Sequence, residues 1–374
     1  MELSDKLSLV DIIPEEEDGR IGAEIGNLQL CSRLGVGGMG AVYLAKHRIL
    51  EMNYAVKVLH PRFSEDPVEV ERFRIEAIAT SRLRHENIVF VTDFGFDPSL
   101  GLYLVMEHLN GQSLLDLIHF HGALSPGRSI HIIRQVAAAM KEAHGMNITH
   151  RDLKPENIIL LNNRSMRDHV KVLDFGIAAM KDDETSSTDQ QIIGTPNYMA
   201  PEQIIGNDGA NSPLVDIYAL GMLLYTMICG HPAFQADDLE ALLKAKLWEK
   251  APKISLELQE LSGTKLEKLI SDALQNRASE SPASIGQFIE ELSKAQIELE
   301  KKGISGIHYT PLNDEEEPYE NEDTTILQPL ASKTIRMTAV IRQIRVISPN
   351  SAAGLLLEAI PALESLRGEA LCGA

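Results

Sequence analysis

The sequence predicts an α+β protein, with strands concentrated in its first 107 residues and helices after them. Two patterns carry this reading. The early runs Tyr54-Ala55-Val56-Lys57-Val58, Ile88 to Phe94 and Leu102 to Glu107 are rich in strand-forming residues and bounded by turn formers. Later apolar positions recur instead at helical spacing. A chain of 374 residues can bury a large core.

Residues 1–25 read as an N-terminal extension, a short helix followed by Pro14-Glu15-Glu16-Glu17-Asp18-Gly19, an acidic turn-prone run expected to be solvated and mobile. Leu34-Gly35-Val36-Gly37-Gly38-Met39-Gly40-Ala41-Val42 has the spacing G-x-G-x-x-G-x-V, in which glycines let a hairpin backbone lie close over phosphate oxygens. Tyr54 to Val58 then sets one lysine, Lys57, in an apolar strand, either to reach phosphates or as a solvated edge residue. Asp66-Pro67-Val68-Glu69 supplies an N-cap, a proline at the first helical position and a glutamate three residues after the cap. The helix continues with a stripe of Val70, Phe73, Ala77 and Ser81. Glu76 beside that stripe either turns inward to pair with Lys57 or stays solvated near Arg72 and Arg74. Asp97-Pro98-Ser99-Leu100-Gly101 joins the next two strands as a hairpin. Ser125-Pro126 opens a long helix through Ile130, Ile133, Ala137, Met140 and His144, ended by Gly145. Ile217 to Cys229 is too short to cross a bilayer and reads as a buried helix.

The chemistry is concentrated in His150-Arg151-Asp152-Leu153-Lys154-Pro155-Glu156-Asn157, followed by Asp174-Phe175-Gly176. The first segment offers a carboxylate to accept a hydroxyl proton and an amide oxygen for a metal; the second offers a metal-binding carboxylate. Each tripeptide alone is weak evidence. In this order and spacing, behind a glycine loop and a strand lysine, they specify a phosphoryl-transfer centre.

Residues from about 26 to about 292 resemble a protein kinase domain. Gly37-Gly38-Met39-Gly40 with Val42-Tyr43-Leu44-Ala45, Gly194-Thr195-Pro196-Asn197-Tyr198-Met199-Ala200-Pro201-Glu202-Gln203 and Asp216-Ile217-Tyr218-Ala219-Leu220-Gly221 resemble the bacterial eukaryotic-like, or Hanks-type, Ser/Thr kinases. The resemblance implies a two-lobed kinase fold over residues 26–298, with a small β-rich lobe to about residue 107, a larger helical lobe from about 108, and flexible tails. It implies ATP in the cleft and Mg²⁺, with Mn²⁺ as a substitute.

Carried over position by position, the resemblance makes Asp152 and Lys154 the catalytic pair and Asn157 and Asp174 the metal ligands. Leu34 to Val42, Ala55, Lys57 and Glu76 belong to the ATP site, with Met106 behind the adenine and Glu107 and Leu109 presenting backbone groups to its edge. Arg151 pairs with a phosphate on Thr185, Ser186, Ser187 or Thr188, and Thr195 lines the acceptor pocket, which favours Ser/Thr specificity. One position departs. Ser281 stands where relatives carry the arginine that pairs with the glutamate equivalent to Glu202, so either Arg277 reaches Glu202 or the large lobe loses stability.

The formal net charge of −19 argues against a nucleic-acid partner, because phosphate backbones demand a basic face. Cys31, Cys229 and Cys372 are far apart and read as reduced thiols; with neither a signal peptide nor an integral membrane span in evidence, the expected setting is cytoplasmic. The alternative function is a pseudokinase-like scaffold that binds nucleotide without turnover, disfavoured because the lysine and both aspartates are present. Residues 299–374 read as an acidic linker and a tail of unassigned role. Within them Thr324-Thr325-Ile326-Leu327 offers a threonine with an aliphatic residue three positions on, the form of phosphothreonine site that forkhead-associated domains take.

Overall fold

Residues 18–37, 40–60, 67–162, 167–175, 196–206, 208–236, 238–275 and 282–304 are described by a computed structural model. All lie within one unit, residues 13–309. The first lobe is an antiparallel sheet of β1 (Glu24–Ile25), β2 (Leu28–Val36), β3 (Gly40–His47), β4 (Asn53–Leu59), β5 (Val91–Asp97) and β6 (Gly101–Glu107), in the order β1-β2-β3-β4-β6-β5. Lys57 faces Val42 of β3 on one side and Leu104 of β6 on the other, so it sits mid-sheet and not on an edge. Helix α1 (Pro67–Arg82) covers this sheet, burying Phe73 and Ala77 among Ala55, Leu59, Val91, Leu104 and Met106. The stripe differs from its sequence pattern at the C-terminal end, where Thr80 is buried and Ser81 is exposed, its hydroxyl donating to the Ile78 carbonyl at 2.8 Å.

The hairpin of β5 and β6 forms with Asp97 opposite Gly101, and the Asp97 carboxylate accepts the Ser99 amide at 2.8 Å and the Leu100 amide at 3.2 Å. Asp18 corrects the acidic-run expectation. Its side chain is only 7 % exposed, accepting the Tyr43 hydroxyl at 2.9 Å and Arg33 Nη1 at 3.2 Å, which fastens the chain to the sheet before β1 begins.

The second lobe starts with β7 (Gly111–Ser113), α2 (Leu114–His121) and α3 (Pro126–Gly145), and continues with β8 (Ile158–Leu161) and β9 (His169–Val172), which join β7 in a small antiparallel sheet. Then come α4 (Pro201–Ile205), α5 (Leu214–Cys229), α6 (Leu239–Trp248), α7 (Lys265–Ala273) and α8 (Ile285–Lys302). Helix α3 has the expected bounds, with Ser125 Oγ accepting the Arg128 amide at 3.3 Å. Helix α5 is buried from Val215 to Ile228 and packs against α3, α7 and α8, so it is the axle of this lobe. No described helix is long and apolar enough to cross a membrane.

Gly40 shows a packing demand inside the glycine loop. A Cβ there would stand 2.2 Å from the Val58 carbonyl oxygen, so β3 lies against β4 only because residue 40 has no side chain. At Gly35 a Cβ would meet nothing within 4 Å. Gly40→Ala is therefore expected to lower stability by about 1–3 kcal/mol, whereas Gly35→Ala leaves it within about 0.5 kcal/mol, both read from thermal melts. Equal melting temperatures for the two variants would contradict this packing account.

Candidate active site

The site is built around a buried carboxylate. Asp216, in the first turn of α5 and 0 % exposed, accepts the backbone amides of His150 at 2.9 Å and Arg151 at 2.8 Å, and His144 Nε2 at 2.8 Å. Three donors satisfy a charge that would otherwise be costly to bury. They also hold Arg151 at φ 64°, a left-handed conformation that costs a non-glycine residue of order 1–3 kcal/mol and persists because its surroundings fix it. Next in the chain, Lys154 Nζ donates to Asp152 Oδ2 at 2.7 Å, while Asn157 Nδ2 donates to the Asp152 carbonyl at 2.9 Å and lies 3.2 Å from Oδ2. Among the described residues no hydrogen bond reaches Asp152 Oδ1, and the side chain is 32 % exposed.

His150 ties this loop to the segment after β9. Its Nε2 donates to the Leu173 carbonyl at 2.9 Å, and its ring lies 4.7 Å from that of Phe175. Between those two residues Asp174, at φ 45°, turns its carboxylate toward the first lobe and meets Lys57 Nζ at 3.0 Å. Burial alone would push the Asp174 carboxyl up, but the charge and hydrogen bond of Lys57, with help from His150 and Lys154, hold it below the usual carboxylate range. Because the side chain keeps 38 % of its surface open to the cleft, the ion pair sets the direction.

At the back of the cleft Met106 is buried opposite Ala55. Glu107 has its amide committed to the Phe90 carbonyl at 2.9 Å, and its carboxylate accepts the Phe90 amide at 2.8 Å and Lys171 Nζ at 2.7 Å, fastening β9 to the connection between lobes. Leu109 packs against the core beneath α1. At the tip of the β2–β3 hairpin the Gly37 amide donates to the Gly40 carbonyl at 2.8 Å.

Residues 28–295 match the family described as protein kinase domain. This chain belongs to the protein kinase family. Among curated relatives, the serine/threonine-protein kinase Pkn1 of Myxococcus xanthus is 39 % identical over 76 % of this chain and 40 % of its own length. The kinase PknD of Mycobacterium tuberculosis is 36 % identical over 66 % of this chain and 35 % of its own length, so the chain spans less than half of either relative. Among solved structures, the PknI kinase domain of M. tuberculosis aligns with a TM-score of 0.58 at 26 % identity, covering 74 % of this chain and 98 % of that one. Rad53 1-466 in complex with AMP-PNP aligns with a TM-score of 0.59 at 27 % identity, covering 71 % of this chain and 64 % of that one. The two-lobed α+β kinase fold is thus established, and kinase-family membership carries the use of ATP and a divalent metal.

The structure brings together Lys57, Asp152, Lys154, Asn157 and Asp174. Glu76 lies on α1, but its side chain falls outside the described residues, as do Gly38, Met39, Thr185, Ser186, Ser187, Thr188, Thr195, Arg277, Ser281 and the tail with Thr324. Glu202 has no ion-pair partner among the described residues; burial pushes its carboxyl up, opposed by its own backbone amide. Arg151 Nε and Nη1 are buried without a hydrogen-bond partner among the described residues, and burial loosens the guanidinium's proton against the pull of Asp216. Sequence reasoning missed Asp216 as the loop's anchor and Lys171 as the partner of Glu107. A lone carboxylate opening a wholly apolar run was the available signal for the first, since such a group must find donors; nothing local marked the second.

Asp174 yields a pH test. A carboxyl held low in the fold contributes stability that is present above its unfolded pKa and lost as pH falls through the folded one. Lys57→Met removes the group that holds it low. The variant is expected to stay folded and melt below the wild type at pH 7, with the gap closing as pH drops through and below the ordinary carboxylate range. A pH-independent gap would contradict the pairing.

Proposed function

We propose that this chain is a serine/threonine protein kinase that transfers the γ-phosphoryl group of ATP to Ser or Thr hydroxyls of proteins. The observation that carries the reading is the convergence of the Lys57–Asp174 pair, at 3.0 Å, with Asp152, Lys154 and Asn157 on one cleft. Names of relatives support the Ser/Thr class, as does Lys154 two residues after Asp152. No observation favours the scaffold alternative.

The residues fit a metal–nucleotide substrate. Among the described residues no group of three or more His, Cys, Asp or Glu side chains forms a cation cage. Mg²⁺ needs none, since it is commonly held by one or two protein oxygens together with substrate phosphates, a role suited to Asp174 and Asn157, with Mn²⁺ as a substitute. ATP and its metal supply the activated phosphoryl group and the charge that offsets the departing diphosphate. Lys57 takes the α- and β-phosphates, exchanging part of its contact with Asp174 for them, and Leu34 to Val42 cover the phosphates, with open space above Gly35 for close approach. Met106 and Ala55 wall the adenine; since the Glu107 amide is occupied, its carbonyl and the backbone of Leu109 are the groups left to recognise the base edge. Asp152, with Oδ2 held by Lys154 and Asn157, presents Oδ1 to the acceptor hydroxyl and takes or orients its proton. As the hydroxyl oxygen bonds to the γ-phosphorus, the bond to the β-bridging oxygen breaks and ADP leaves, while Lys154 neutralises the transferring group.

The buried Arg151 guanidinium supports a switch in which a phosphate on Thr185, Ser186, Ser187 or Thr188 pairs with it and orders the segment before Pro196. Thr195 borders the acceptor site in this reading, and Glu202 tethers the segment only where Arg277 reaches it in place of the arginine that Ser281 replaces. A cytoplasmic setting suits the free thiols Cys31 and Cys229. The net charge of −19 speaks against nucleic acid as a partner. Phosphorylated Thr324 is proposed as a site for a forkhead-associated domain, delivered to the active site by tethering.

Incubation with γ-labelled ATP, Mg²⁺ and a generic protein acceptor is expected to yield phosphoserine and phosphothreonine, with Asp152→Asn slower by about 10²–10⁴-fold while still binding nucleotide. Phosphotyrosine as the main product, or an Asp152→Asn protein as active as wild type, would contradict the proposal.

A further inference from the structure

Lys246 lies on α6 and is 0 % exposed, yet among the described residues no carboxylate forms an ion pair with it. Its Nζ lies 2.8 Å from the Asn197 carbonyl and 3.2 Å from the Tyr218 hydroxyl, with the ring centroids of Tyr218 and Phe234 at 4.8 and 5.3 Å. Asn197 belongs to the turn that leads through Tyr198, Met199 and Ala200 into α4, where Gln203 in turn donates to the Arg151 carbonyl at 2.9 Å. Lys246 therefore joins three elements, α6, the core helix α5 through Tyr218, and the segment that follows Thr195, the residue proposed to border the acceptor site.

We propose that Lys246 is a positioning residue for the protein acceptor, fixing the Pro196–Ala200 segment against α5 and α6 through the Asn197 carbonyl. This rests on the reading of the chain as a protein kinase. The tether is linked to a proton. Burial pulls Lys246 down to about 7, with no charged group offsetting it. The titratable groups around it are the Tyr218 hydroxyl, which burial pushes up so that it stays protonated, and Glu202 on α4, whose charge reaches Tyr218. On its own helix Lys244 and Glu240 pair at the surface, 2.6 Å apart. The neutral amine keeps both contacts, its two N–H groups donating to the Asn197 carbonyl and the Tyr218 hydroxyl. The ammonium must lose hydration to enter the same space. By linkage, a buried lysine with a lowered pKa imposes its full cost at and below pH 7 and progressively less above it, so the packed segment should tighten between pH 7 and 9.

The test is steady-state kinetics of wild type and Lys246→Met with a peptide acceptor, at pH 7 and pH 9. Methionine fills the space without a hydrogen bond. The variant is expected to raise the acceptor KM about tenfold with the ATP KM within about twofold. The ratio of variant to wild-type acceptor KM should grow from pH 7 to pH 9. An unchanged acceptor KM, parallel rises in both KM values, or a ratio independent of pH would overturn the proposal. For a variant that does not fold, lysine-selective NMR titration of the wild type decides: binding of the peptide should lower the Lys246 pKa, and an unmoved titration would overturn the role. A wild-type protein that transfers no phosphate would sink the kinase reading itself, which separates that failure from failure of the Lys246 tether.

Discussion

The geometry of the site depends on burying one carboxylate at the start of the most enclosed helix. Asp216 has no route to water, so it must collect donors, and the donors within reach are the His150 and Arg151 amides and the His144 ring. Satisfying it forces the loop into a left-handed turn at Arg151 and delivers Asp152 to the cleft with its side chain braced by Lys154 and Asn157. Catalysis by positioning requires such bracing, since a phosphoryl transferase does little covalent chemistry of its own and depends on where its charges are held.

A second constraint connects the lobes. Lys57 is fixed mid-sheet by strands on both sides, and Asp174 is fixed by the His150–Leu173 hydrogen bond and the Phe175 ring, so their 3.0 Å contact joins the sheet of the first lobe to the segment after β9. Glu107 and Lys171, 2.7 Å apart, make a parallel connection at the back of the cleft. These polar links lie beside apolar contacts that cross between the lobes, since Leu83 and Ile88 pack in the core around α5 while Leu109 and Leu173 pack against the core beneath α1. The polar links face the cleft, where phosphate and metal contacts can replace them, while the apolar contacts keep the lobes joined.

Much of this was legible in the sequence because it is written in local patterns. The strand around Lys57, the hairpin at Asp97–Gly101 and the helix from Pro126 depend on periodicity and turn chemistry within a few residues, and the structure has them where those patterns lie. What was not legible depends on partners far along the chain. Asp18 read as solvent-exposed because its neighbours are acidic, yet Arg33 and Tyr43 capture it. Lys246 looks like Lys244 in sequence, but the two helix faces differ: one turns the ammonium to solvent and the other seals it beneath Asn197. Gly40 was read as a phosphate-approach glycine, while its tightest demand comes from the Val58 carbonyl.

The central claim is that the Asp216 carboxylate, through His150 and Arg151, sets the catalytic position of Asp152. Asp216→Asn tests it most directly, because the amide keeps the volume but turns one acceptor into a donor facing donors. Single-turnover transfer, with nucleotide affinity measured on the same folded protein, should show a rate reduced at least about tenfold and ATP binding within about twofold of wild type. A folded Asp216→Asn protein that transfers phosphate at the wild-type rate would contradict the account.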